Sequence, residues 1–67
     1  MKLDRSAVAV SMARSCMTAK TIAETAKMPV PTVYNALYGR SVRPVTAGKI
    51  ARALGVEVTD ILEEAKP

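Results

Sequence analysis

The chain contains no histidine, no tryptophan and no phenylalanine, and it has one cysteine, Cys16. A single thiol rules out an intrachain disulfide, and without histidine it cannot build a zinc site. The missing histidine also removes the commonest general base, and no glycine-rich run resembles a phosphate cradle. The acids gather near the C-terminus on what reads as a solvated helix. The sequence therefore predicts no enzyme, no cofactor or metal and no small-molecule ligand. Long apolar runs are missing as well. They extend only a few residues, against the roughly 20 needed to span a bilayer. The opening M-K-L-D-R-S is too interrupted by charge for a secretory leader. The expectation is a cytoplasmic protein without membrane association, and a lone cysteine suits a reducing compartment. Cys16 reads as a small, partly buried apolar residue, since Arg14 alone is thin support for a reactive thiol.

What is present fits one small domain over residues 1–67. A domain of this size buries only about 60% of its unfolded surface. With neither disulfide nor metal, it must rely on tight helix packing, dimerisation or both. The compact pattern beginning at Met1 reads as a complete small protein, or else as a larger one truncated after its first domain. Its charge is uneven. From Arg5 to Arg52 there are eight basic residues and one acid, Glu24, a net +7, whereas residues 53–67 carry a net −3. A basic body with an acidic tail points to a polyanion partner, or else to an ordinary solvated surface.

The periodicity predicts an all-α bundle of five short helices. The first covers residues 5–15, capped by Asp4 and stapled by Leu3 and Val8, with Val8 and Met12 inward. The second covers residues 19–26, capped by Thr18, with Ile22, Ala23 and Ala26 on one face. It stops before Pro29. The fourth covers residues 47–54, capped by Thr46 and ended by Gly55, after a basic connection from Arg40 to Val45. The fifth covers residues 58–64 and offers Val58, Ile61 and Leu62 to the core or to a partner.

The third helix lies in M-P-V-P-T-V-Y-N-A-L-Y-G-R, residues 28–40, and carries two prolines at its start. Proline in a first turn loses no helical hydrogen bond. Val30, preceding Pro31, is expected to be extended and to act as N-cap, giving a helix over residues 31–38 that ends at Gly39. At about 100° per residue, Val33, Ala36 and Leu37 define its buried side. Pro31, Asn35 and Tyr38 then point outward, flanked by Thr32 and Tyr34. Tyr34 and Tyr38 are the chain's two aromatics. Each can donate its hydroxyl to a phosphate or lay its ring over neighbouring apolar surface.

Two helices joined by a short turn, the second with a polar outer face and followed by a basic loop, resemble a helix-turn-helix. Met17-Thr18, Ile22-Ala23, Thr32-Val33-Tyr34, Gly39-Arg40 and Ile50-Ala51-Arg52-Ala53-Leu54-Gly55-Val56 follow the order and spacing of the lambda-repressor-like (Cro/repressor, or XRE) DNA-binding domains of prokaryotes and phages. The resemblance spans about residues 4–64. It implies a sequence-specific duplex-DNA-binding transcriptional regulator, a repressor by family default, that acts as a homodimer on a near-palindromic operator. It puts base contacts on Val30, Pro31, Thr32 and Asn35. It puts phosphate contacts on Thr18, Ala19, Lys20, Tyr34, Tyr38, Arg40, Ser41 and Arg43. Asn35 suits the N6 and N7 of adenine, and Val30, Pro31 and the Thr32 methyl suit thymine methyls, so an A/T-bearing half-site is expected. Val58 and Ile61 are expected at the dimer contact, or else they close the monomer core.

The chain departs from the family pattern at three places. Ala19 stands where members often carry Gln, and Lys27 stands where the turn usually has Gly. Met12 and Leu37 form an apolar pair where many members have an Arg–Glu ion pair. The rival reading is a protein-interaction module, antitoxin-like or antirepressor, with Tyr34 and Tyr38 as interface anchors.

Overall fold

The computed structural model describes residues 1–63. It contains α1 (Arg5–Ser15), α2 (Ala19–Ala26), α3 (Val30–Leu37), α4 (Pro44–Leu54) and α5 (Val58–Ile61), an all-α bundle as the periodicity predicts.

The first two helices begin where a side-chain oxygen can replace a missing backbone acceptor. Asp4 Oδ1 accepts from the Ser6 and Ala7 N–H groups at 2.9 and 3.1 Å, and its charge also suits the positive end of the helix. Leu3 and Val8 are both buried, as the staple requires. Thr18 Oγ1 accepts from the Thr21 N–H at 3.1 Å and starts α2. Between them, Cys16 is exposed rather than partly buried.

The starts of α3 and α4 correct the expectation, whereas α5 starts at Val58 as expected and differs at its end. Val30 is helical, and the extended N-cap is Pro29, at φ −62° and ψ 142°. The Pro29 carbonyl accepts from the Thr32 and Val33 N–H groups. Crowding by Pro31 disfavours the α conformation at Val30 without forbidding it, and a whole turn of packing overrides that preference. Helix α4 opens at Pro44, with Arg43 as N-cap, so Thr46 lies inside the helix and caps nothing. Proline at the first helical position has the φ a helix needs and lacks only an N–H that would be unpaired there anyway. Helix α5 starts at a reciprocal capping box between Glu57 and Asp60 and ends at Ile61, because Leu62 is extended. The end of its expected range, Glu64, lies outside the described residues.

The first four helices end alike. A left-handed residue closes each, directly after the last turn at Cys16, Lys27 and Gly55 and one residue later, beyond Tyr38, at Gly39. Its N–H and that of the next residue return to carbonyls inside the helix, as from Gly39 to Ala36 and from Arg40 to Asn35. Lys27 does have positive φ, +57°, which costs a non-glycine residue roughly 1 kcal/mol.

The core centres on α4, which packs against α2, α5 and α1. Ile50 sits there with Ile22, Val33 and Ile61, all fully buried. Buried alanines at 19, 23, 36, 47 and 51 let the helix backbones approach closely. Pairing outside the helices ties the two ends together. Leu3 and Leu62 form an antiparallel bridge, and the Asp4 N–H donates to the Ile61 carbonyl at 2.7 Å. On the other side the Val42 N–H donates to the Met1 carbonyl, also at 2.7 Å. Met1 therefore braces the loop that follows α3, while residues 2–4 hold the end of α5. Among the described residues, no helix is long and apolar enough to cross a membrane.

Candidate nucleic-acid interface

Helix α3 has eight residues, and its geometry sorts them by surroundings. Val33 and Ala36 are fully buried, Leu37 packs against the core, and the remaining side chains form two flanks. Thr32 and Asn35 lie on one flank. They share a groove of about 410 Å³ with Ser41, Val42, Arg43 and Thr46, from the loop and the first turn of α4. Asn35 and Arg43 are exposed. The groove thus carries an amide with two donors and an acceptor, three hydroxyls and a guanidinium.

The loop is held to α3 by backbone. Gly39 takes φ +81°, and the Arg40 N–H donates to the Asn35 carbonyl at 3.1 Å. The turn that presents Asn35 therefore also anchors the first cation of the loop. An added Cβ at Gly39 would lie 3.4 Å from Arg5 Cδ. The Arg5 stem crosses the end of α3 there and also lines the groove beside Tyr34 and Tyr38.

Tyr34 and Tyr38 lie on the other flank. Their ring centroids are 5.8 Å apart with planes tilted by 30°. They are 44% and 59% exposed. Their rings border a groove toward α1 that includes Arg5, Ala9, Met12 and Leu37. Met12 and Leu37 therefore share an apolar lining, with no ion pair in their place.

The start of α2 supplies backbone donors. The Ala19 and Lys20 N–H groups have no acceptor within the helix, whereas the Thr21 N–H is taken by Thr18. Ala19 is 6% exposed, so only its backbone is on offer. The Thr18 hydroxyl is engaged by Thr21 Oγ1 at 3.0 Å, while the Lys20 side chain is exposed. Every Lys and Arg among the described residues is exposed, so the basic body presents all of its charge to solvent.

The structure thus brings together Thr32, Asn35, Ser41 and Arg43 from the expected site, with Arg40 next to them. Pro31 is exposed between the two flanks. Val30 is half-buried and packs against the core, which leaves only part of its side chain available. Ile61 is corrected outright. It is 0% exposed and closes the monomer core, so it has no surface for a dimer contact. Val58 is half-buried and packs against the same core. Sequence reasoning missed Arg5, Val42 and Thr46. Pro44 was a usable signal for Thr46, because it starts α4 early enough to turn that hydroxyl into the groove. Nothing local in the sequence signals the approach of Arg5.

No family model matches the chain, and no curated protein does. Solved structures are similar to it. A mutant of a hydroxyethylphosphonate dioxygenase matches with a TM-score of 0.82 and 27% identity, covering 100% of this chain and 15% of that one. PhpD with cadmium and hydroethylphosphonate matches with a TM-score of 0.81, at the same identity and coverage. The chain therefore spans about 15% of the length of these structures.

Proposed function

We propose that this chain is a sequence-specific, duplex-DNA-binding transcriptional regulator of the Cro/repressor type, acting in the cytoplasm as a twofold dimer on a near-palindromic site. The observation that carries this reading is the groove in which Asn35 and Thr32 meet Ser41 and Arg43. Sequence readout needs an amide that can pair with a base edge, held in register by groups that grip the backbone. Arg43, Arg40, Lys20 and the free N–H groups of α2 do the gripping. They supply most of the affinity and none of the sequence preference. Asn35 pairs with adenine, and the Thr32 methyl and Pro31 contact thymine methyls. With Val30 half-buried, Asn35 carries most of the hydrogen-bonded readout.

Selection of bound sequences from a random duplex pool tests this. The expected product is a pair of inverted, A·T-bearing half-sites about one helical turn apart. Failure to retain any duplex at roughly 50 mM salt, where phosphate contacts are strong, overturns the reading.

One observation favours a second reading, a protein-interaction module. The tyrosine pair borders an apolar groove with Met12 and Leu37, and exposed aromatics over apolar surface serve as interface anchors. The same fold also recurs as a segment of a much longer enzyme chain. The exposed basic loop at Arg40 and Arg43 weighs toward DNA instead.

A further inference from the structure

Packing inside the monomer explains neither of two features of α1. A helix on the surface of a small domain is normally polar outside, yet α1 exposes Ala9, Val10 and Ala13 and buries Ser11. Its first residue is a cation, Arg5, and its first turn holds no acid, although the start of a helix is the end that disfavours positive charge. Both features meet in the groove between α1 and α3. Its volume is about 590 Å³, inside the range of about 300–1,000 Å³ that small-molecule sites occupy. Ala9, Met12 and Leu37 give it an apolar lining, Tyr34 and Tyr38 add two aromatic rings, and Arg5 is its one charged residue. Neither α1 nor α3 contains an acid. Asp4, next to Arg5 in sequence, caps the helix and does not line the groove.

We propose that this groove binds a small apolar carboxylate of the arylalkanoate class. The carboxylate sits on the Arg5 guanidinium, and the hydrocarbon body lies over Ala9 and Met12 against the two tyrosines. A guanidinium presents a planar fork that fits a carboxylate with two hydrogen bonds, and no carboxylate in the lining competes for it or repels the ligand. The tyrosine rings, with centroids 5.8 Å apart and planes tilted by 30°, offer faces and edges to an incoming ring. Length sets the size of the ligand. Arg5 and Met12 are seven residues apart on one helix, a track of about 10 Å. Ala9 lies between them on the same face, and its short side chain keeps the track open. The sequence predicts no small-molecule ligand because no local pattern joins α1 to α3. Such binding requires neither DNA nor a protein partner, and the test contains neither, so it stands or falls apart from the readings above.

The probe is hydrocinnamate, titrated to about 10 mM into the isotope-labelled whole chain and followed by amide NMR shifts, with hydrocinnamamide as its uncharged counterpart. The expected result is saturable shifts at Ala9, Met12, Tyr34 and Tyr38 with a dissociation constant of about 1 mM, and binding of the amide weaker by about tenfold. Arg5→Gln is expected to weaken hydrocinnamate by about tenfold as well. Arg14→Gln, which removes an equal charge at the other end of α1, leaves it unchanged. Ala9→Leu, at an exposed position that suits a helix, fills the track and abolishes saturation while circular dichroism shows the fold intact. Absence of saturable shifts at those four residues overturns the proposal. So do equal affinities for acid and amide, a folded Ala9→Leu protein that binds like the wild type, or an Arg14→Gln loss as large as that of Arg5→Gln.

Discussion

The two flanks of α3 belong to one helix of eight residues, yet they differ in almost every physical respect. The Thr32–Asn35 flank faces a loop and is polar and basic, and its groove is closed by backbone bonds that bind the loop to the helix. The Tyr34–Tyr38 flank faces another helix and is aromatic over an apolar floor. A helix turns by about 100° per residue, so neighbours in sequence land in different surroundings. Tyr34 and Asn35 are adjacent in the chain and serve different surfaces.

The sharpest way to break the comparison is to remove what both flanks stand on. Val33 is fully buried beneath them, and Val33→Ala is expected to cost roughly 2 kcal/mol of stability through lost burial and the cavity left behind. Urea unfolding measures this, and DNA binding and any groove binding should then fall together. Next in size, Asn35→Ala is expected to remove about 2 kcal/mol of discrimination between the selected site and random duplex while sparing non-specific binding. Equal losses on both sequences, read from parallel titrations, would sink its base-reading role.

Arg43→Ala tests the same flank by the opposite signature. All sequences should weaken alike, and the slope of log affinity against log salt should become shallower by about 1. The smallest effect belongs to the aromatic flank. Replacing Tyr34 by Ala removes an exposed (i, i+4) pair and is expected to cost roughly 0.5 kcal/mol of stability, with little change in DNA discrimination. If Tyr34→Ala abolished discrimination while Asn35→Ala did not, the assignment of the two flanks would be reversed.

Legibility in the sequence followed the range of the interactions. Helices α1 and α2 were readable to the residue because Asp4 and Thr18 bring their own capping oxygens. Helix α3 was off by one at its start, because the restriction before Pro31 is a preference that packing outweighs. Helix α4 began three residues earlier than Thr46 suggested, since a hydroxyl before an apolar run looks like a cap wherever it falls. Of the site, spacing put Asn35 and Thr32 on the outer side of α3, and the family resemblance added Ser41 and Arg43. The approach of Arg5 to the end of α3 and the full burial of Ile61 were not.

Caps, prolines and apolar spacing act over three or four residues, so the number of helices, their buried faces and their basic exterior were set locally along the chain. The bridge from Leu3 to Leu62 and the support of the Val42 loop by Met1 depended on partners about 40 to 60 positions apart, and the aromatic flank of α3 on residues of α1 about 20 to 30 positions away. No local pattern encodes those meetings. Closing such long loops is entropically costly, and it occurs only because the assembled core around Ile50 recovers the loss by burying both ends at once.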